Sequence, residues 1–240
     1  MSGHSKWSNI KHKKAKKDLK KAKIFTKIGK EILIALKNGG NDLEKNYKLK
    51  LAIIKARNNN FPQNTIKKLI EKSNNNNNNN YEELVYEGYG ICGTAFLVEV
   101  ITDNKNRTVG EIRHIFDKFG GKLGETGCVS WMFNIKGEIV IKTNNLDEDT
   151  ELNIIELGVE DIINKKEEII VYTNEMDFYK IKNILESKYE IKDAFLTKIS
   201  KNFIKINNID DINKLNDMKF FLEENDDVQN VYSNFIFEKI

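Results

Sequence analysis

The chain has 240 residues, enough for two or three small domains, and 40% of them are hydrophobic, enough for real cores. No apolar run nears the ~20 residues of a membrane span, and the start lacks the apolar segment of a secretory leader. Cys92 and Cys128 form no disulfide framework, so the expected location is the cytoplasm, with an organellar matrix as the alternative. The net charge of +3 conceals an asymmetry that excludes an evenly mixed surface. Residues 1–72 carry twenty Lys+Arg against five Asp+Glu, a balance of +15, and the rest of the chain carries nineteen against thirty-one, a balance of −12.

Residues 1–30 hold eleven Lys and two His against one acid, Asp18. Cations at that density repel one another, and a polyanion is the partner that neutralises them. A general excess of Lys does not explain the pattern, because the same composition leaves the second part acidic. Lys6, Lys11, Lys13, Lys14, Lys16, Lys17, Lys20, Lys21 and Lys23 are the predicted phosphate contacts. Each ammonium replaces a condensed counterion, so binding is expected to weaken steeply with salt. Lys13, Lys16, Lys17, Lys20 and Lys21 fall on one helical stripe. Trp7 has two readings: a ring that stacks on an unpaired base, or an apolar anchor for the arm. His4, His12 and Asn9 offer hydrogen bonds to bases or sugars. No Cys or acid cluster accompanies the histidines, so no metal is expected.

Further along, Phe25, Ile28, Ile32 and Leu36 give the spacing of an amphipathic helix over 22–38, stopped by Gly39-Gly40. A second helix is predicted at about 43–57 through Tyr47, Leu51 and Ile54. Pro62 opens a third, whose apolar side is Ile66, Leu69 and Ile70. Residues 1–73 therefore read as a basic helical domain with a Lys-rich arm. Seven asparagines, 74–80, read as a linker.

The remainder alternates strand and helix. A strand (94–102), a helix (107–119, with Ile112, Ile115, Phe116 and Phe119 inward) and a strand (127–135) form a β-α-β unit. Glu87-Gly88-Tyr89-Gly90 reads as a turn entering its first strand, because it lacks the spacing of a phosphate-binding loop. At the helix start, the Asn and Thr residues of 102–108 can cap, and Thr108 with Glu111 fits a capping box. Asn104, Asn106 and Arg107 are a candidate secondary phosphate contact there. Strand (137–143), helix (147–157), strands (159–164, 167–173), helix (176–188) and strand (191–200) follow in the β-α-β-β-α-β order of a ferredoxin-like domain. A strand (202–206), a helix (210–224) and a strand (228–237) then complete the first unit. The expected class is α+β: an N-terminal helical domain followed by two ferredoxin-like α/β sandwich domains. The second of these spans 81–136 and 202–240, and the third, 137–201, is inserted in it.

Ser2-Gly3-His4-Ser5-Lys6-Trp7-Ser8-Asn9-Ile10-Lys11-His12, Lys23-Ile24-Phe25-Thr26-Lys27, Leu51-Ala52-Ile53 with Lys55-Ala56-Arg57, Tyr86-Glu87-Gly88-Tyr89-Gly90, Thr102 to Thr108 and Gly127 to Phe133 together resemble the YebC/PmpR family. The resemblance is dense over 2–135 and looser beyond. It implies a three-domain cytosolic protein and a non-enzymatic regulator of gene expression. The family is known as probable DNA-binding transcriptional regulators. Related members act in translation, as a mitochondrial activator of cytochrome oxidase synthesis or as bacterial forms that relieve ribosome stalling. This chain departs from the pattern at Ile91-Cys92, where Pro-Gly is usual, in its Asn run, and in the C-terminal prolines it lacks.

No serine–histidine–acid set is present, and His114 reads as a packed or surface residue of its helix, so neither enzyme activity nor a cofactor is expected. The expected partner is nucleic acid, either DNA or ribosomal RNA on the ribosome, with no membrane contact and a monomeric chain. The head has Arg57 as its only arginine, which tilts the reading toward backbone-driven RNA contact, since arginine makes the commonest specific contact with guanine. A second class remains open, a protein-interaction module whose acidic body is the working surface.

Overall fold

The computed structural model of the chain describes residues 3–74, 80–142, 148–165 and 167–237; for residues 3–17, Asn74 and Glu148 it describes the backbone only. The expected linker therefore lies, over 75–79, outside the described residues. By its internal contacts the chain divides into two compact units. One is Met1–Leu84, Glu99–Glu111 and Phe220–Asn230, and the other is Val85–Val98, Ile112–Lys219 and Val231–Ile240.

The first unit is built on α1 (Gly3–Gly39), one helix of 37 residues and about 55 Å. The predicted arm and first helix are thus a single element. With α2 (Tyr47–Asn58) and α3 (Gln63–Asn74) it buries Ile28, Ile32, Ala35 and Leu36 against Leu49, Ala52, Ile53, Ala56, Phe61 and Ile66. Phe25 meets Phe61 edge-on, ring centroids 4.9 Å apart. The α1–α2 corner is set by buried Asn46. Its Oδ1 accepts from the Leu49 N–H at 3.0 Å, and its amide donates to the carbonyls of Ala35 and Gly40 at 2.8 and 2.7 Å. One side chain so serves an orphan donor of α2 and two carbonyls at the end of α1 and just past it.

Among the described residues, ten strands and four more helices follow: β1 (Glu82–Tyr89), β2 (Ala95–Thr102), α4 (Lys105–Lys118), β3 (Lys122–Leu123), β4 (Phe133–Lys142), α5 (Glu148–Ile155), β5 (Asp161–Lys165), β6 (Glu168–Asn174), α6 (Phe178–Glu186), β7 (Ile191–Ser200), β8 (Ile204–Lys205), α7 (Ile209–Glu223), β9 (Val228–Ser233) and β10 (Phe235–Ile236). One sheet has the order β3-β1-β2-β9 and another the order β5-β6-β4-β7, and β8 pairs with β10 in parallel. In the second unit β4 runs antiparallel to both β6 and β7, with Ile139 opposite Val171 and Ala194. The chain order β4-α5-β5-β6-α6-β7 with β4 and β6 central is ferredoxin-like. Helix α6 packs on this sheet. Gly137 lies so close under it that a Cβ there would stand 2.3 Å from the Phe178 ring. The class is α+β, helical at the N-terminus, as expected.

Three local expectations are corrected. Glu87-Gly88-Tyr89 lies in strand β1, and the turn comes after it, where Cys92 has φ +56°. The strand expected at 127–135 is a loop and a 3-10 turn, Ser130–Met132, leading into β4. Gly127 (φ +91°) breaks the extended path there, and the strand predicted to start at 137 begins at Phe133, where pairing with β7 starts opposite Ser200. The strand expected over 228–237 is two, β9 and β10, interrupted at Asn234, whose side chain accepts from the Ala95 N–H at 2.7 Å. In the last two cases an apolar run of strand-like spacing is interrupted by a contact that spacing does not encode.

Candidate nucleic-acid interface

Helix α1 carries twelve lysines, no arginine and two acids, Asp18 and Glu31. Of the predicted contacts, the side chains of Lys6, Trp7, Asn9, Lys11, His12, Lys13, Lys14, Lys16 and Lys17 lie outside the described residues, though their backbone is helical. Lys20 and Lys21 are exposed. The Lys21 ammonium stands 5.3 Å from the centroid of the Phe25 ring, which favours a cation over its face.

Lys23 behaves differently, and so do two lysines that sequence reasoning passed over, Lys27 and Lys30. Spaced by four and three residues, they share a face of α1. All three reach the segment Glu223–Asp227 at the end of α7. Lys23 Nζ donates to the Glu224 carbonyl at 2.9 Å and to its carboxylate at 2.8 Å. Lys27 Nζ donates to the Glu223 carbonyl at 2.6 Å. Lys30 Nζ donates to the Asp226 carbonyl at 2.8 Å and to Asp227 Oδ1 at 2.6 Å. The last carbonyls of a helix have no partner within it and carry the negative end of its dipole, so cations are stabilised there. Burial pushes the Lys27 ammonium below its ordinary pKa, against the pull of Glu223 and Glu224. The hydrogen bond from Lys23 holds Glu224 below the usual carboxylate range, against a smaller effect of burial.

Asp227 is the centre of this arrangement, only 4% exposed. Beyond Lys30, its Oδ2 accepts from Thr108 Oγ1 at 2.6 Å, Arg107 at 2.8 Å and Thr102 Oγ1 at 3.1 Å. Burial alone would raise its pKa, but the donors from Arg107, Lys30 and Thr108 overcome that and hold it well below the usual range. Arg107 also meets Asp103 at 2.9 Å, and the two carboxylates raise its pKa further. A polar cleft of about 490 Å³ opens beside these groups, lined among others by Lys23, Tyr81, Asp103 and Glu224.

The secondary candidates divide. Asn104 caps α4, its Oδ1 accepting from the Arg107 N–H at 3.1 Å. Asn106 is exposed, and Arg107 is engaged with Asp103 and Asp227. The capping box expected of Thr108 and Glu111 does not form. The Thr108 hydroxyl is turned inward to Asp227, and Glu111 accepts from Asn225 at 2.7 Å. The expectation of an Asn or Thr cap at this helix start is met by Asn104, and the specific Thr108–Glu111 box is not. The run Glu223-Glu224-Asn225-Asp226-Asp227 was the signal available for the α1 docking, though nothing in it says which cations it meets.

In the second unit, Glu87 is 4% exposed and accepts from the backbone N–H groups of Gly127, Val129 and Ser130 at 2.7–2.8 Å. Burial works against its charge, yet these amides keep it below the usual range. The loop it holds presents Trp131, 63% exposed. None of this was legible in the sequence reading.

Among the described residues no group of three or more His, Cys, Asp or Glu is placed to hold a metal ion, and no helix is long and apolar enough to cross a membrane. The fold and this site define a class: an α+β protein with a lysine-rich helical N-terminal region, part of whose charge is bound internally. The comparisons are narrower. Residues 5–76 match the TACO1/YebC protein N-terminal domain, and residues 81–235 match the TACO1/YebC second and third domain. The chain belongs to the TACO1/YebC family. A probable transcriptional regulatory protein of Desulfitobacterium hafniense is 46% identical over 242 residues, covering 99% of this chain and 96% of the relative. One of Thermoanaerobacter pseudethanolicus is 48% identical over 238 residues, 98% and 96% of the two chains. The crystal structure of a conserved hypothetical protein from Aquifex aeolicus superposes with a TM-score of 0.83 at 37% identity, covering 91% of each chain.

Proposed function

We propose that the protein is a non-enzymatic regulator of gene expression in the cytoplasm that binds nucleic acid, its lysine-rich helix lying on phosphate backbones. The observation that carries this is α1 itself, a continuous helix of 37 residues with twelve lysines. Lys23, Lys27 and Lys30 fasten the helix to the Glu223–Asp227 segment. Lys6 to Lys21 are then the working cations, with Trp7, Asn9 and His12 among them. Asn106 and the exposed side of Arg107 are a secondary contact. The relatives' names support a regulator of transcription. Its domains are a basic helical head at 1–73, an Asn-rich linker at 74–80, a discontinuous ferredoxin-like domain at 81–136 and 202–240, and an inserted one at 137–201.

A second reading, a translation factor on ribosomal RNA, is favoured by one feature. The helix has no arginine, and lysine positions a backbone more than it reads bases. Replacing Lys13, Lys16, Lys17 and Lys20 with Gln tests both. Each lysine lost from the contact is expected to flatten the log–log salt dependence by about 0.9 for duplex DNA or about 0.7 for a single strand. Ribosome co-sedimentation beside chromatin crosslinking tells transcription from translation. Unchanged binding to both, with activity intact, leaves the protein-interaction reading in place of this one.

A further inference from the structure

We propose that Trp131 and Tyr89 form a stacking platform for an unpaired base of a single-stranded nucleic acid. The proposal deepens the nucleic-acid reading above and rests on it, but its residues are distinct from the lysines of α1. Both rings end on one atom. The Trp131 indole N–H donates to the Cys128 carbonyl at 3.1 Å, and the Tyr89 hydroxyl donates to the same oxygen at 2.9 Å. The polar edge of each ring is thereby fixed, while Trp131 remains 63% and Tyr89 38% exposed. A ring pinned by its edge with its surface in water has lost the freedom that would otherwise oppose stacking.

The loop that carries the shared carbonyl is itself built to a fixed shape. Glu87, a buried carboxylate, accepts from the amides of Gly127, Val129 and Ser130. Gly127 supplies a φ of +91° that other residues rarely adopt. Burying a carboxylate is costly unless it is fully hydrogen-bonded. Here that cost goes to positioning a loop whose outermost large side chain contributes little to any core. A single exposed tryptophan needs no explanation; two aromatic edges converging on a rigidly held carbonyl do.

Cations flank the pair. Lys122 is exposed and directly opposite Tyr89 in the β1–β3 register. Lys201 Nζ donates to the Trp131 carbonyl at 2.7 Å. Glu125 is the acid of the loop and is exposed. Flat π-faces beside ammonium groups match a base with its phosphate, and every base offers a face of that kind once it is unstacked. A duplex hides those faces, so the platform distinguishes single strands from duplex whatever the sequence.

The test uses the full chain with a short RNA carrying 2-aminopurine, the same sequence in DNA, and the corresponding duplexes. Trp131→Leu keeps an apolar side chain without a ring, and Trp131→Phe restores one. Wild type and Trp131→Phe should quench the 2-aminopurine of the single strands, and Trp131→Leu should not. Single-strand affinity should fall roughly tenfold in Trp131→Leu, with duplex affinity and thermal midpoint unchanged. Comparison of the RNA and DNA arms tells which strand is preferred. Equal single-strand affinity in all three proteins overturns the platform and leaves the α1 reading intact. A wild type that binds neither strand nor duplex overturns both. Lost cellular activity in Trp131→Leu with unchanged single-strand binding assigns the rings to a protein partner and also overturns it.

Discussion

Two buried carboxylates, one in each unit, show how differently a fold can satisfy the same charge. Asp227 is surrounded by side chains: two cations, Lys30 and Arg107, and two hydroxyls, Thr102 and Thr108. Glu87 is surrounded chiefly by backbone, the amides of Gly127, Val129 and Ser130, with the Ser130 hydroxyl as its one side-chain donor among the described residues. Both carboxylates are held below their ordinary pKa. The Asp227 web ties residues far apart in sequence, from helix α1 to the start of α4 and the turn before β9. The Glu87 web shapes one loop. Long-range ion pairs therefore anchor the lysine-rich helix, while short backbone bonds set the place of an aromatic ring.

The comparison is broken most directly at Asp227. Asp227→Ala leaves Lys30 buried without its carboxylate and is expected to cost about 3–5 kcal/mol of stability, measured by denaturant unfolding. Asp227→Asn adds a pH dependence. Because the folded-state pKa is depressed, the carboxylate's contribution is present above its unfolded value of about 4 and is lost as pH falls through the lower folded value. The stability gap between wild type and Asp227→Asn should be flat from neutral pH to about pH 5 and shrink below it. A gap that grows on acidification contradicts the assignment.

Glu87→Gln should cost less, about 1–3 kcal/mol, because one acceptor remains and the amides are left only partly unsatisfied. Its signature is faster hydrogen exchange at Val129 and Ser130, with the α1 core protected as before. If exchange instead accelerates across Ile28–Leu36, the two webs are not separate. The smallest effect is expected at the helix end. Lys23→Gln and Lys27→Gln remove cations from exposed or half-buried carbonyl contacts and should cost about 0.3–1 kcal/mol each. Their sum should be less than the loss at Asp227, and high salt should narrow it further.

Much of the architecture was legible in sequence. The stripe Phe25, Ile28, Ile32 and Leu36 marked the buried face of α1, and Gly39-Gly40 its end, because a helix must place its apolar residues at that period to reach a core. The β-α-β-β-α-β order over 133–200 was legible for the same reason. The short strands were not. Val129, Trp131 and Phe133 have the alternate spacing of a strand, yet Gly127 and the amides bound by Glu87 bend the backbone into a turn. At the candidate site the positive charge of α1 was visible, and so was a cap on α4. That cap falls to an asparagine, Asn104, and the Thr108–Glu111 box does not form, because Asp227, more than a hundred residues away, claims the threonine hydroxyl.

The amino-acid order alone determined the helical periods, the clustering of lysines at one end and the acidic balance of the rest, since these depend on neighbours along the chain. Tertiary structure alone decided which lysines are bound within the molecule and which aromatic edges meet at Cys128. Those outcomes depend on distances of a few ångströms between distant segments. Hydrogen bonds and buried charges discriminate at that scale, and composition does not.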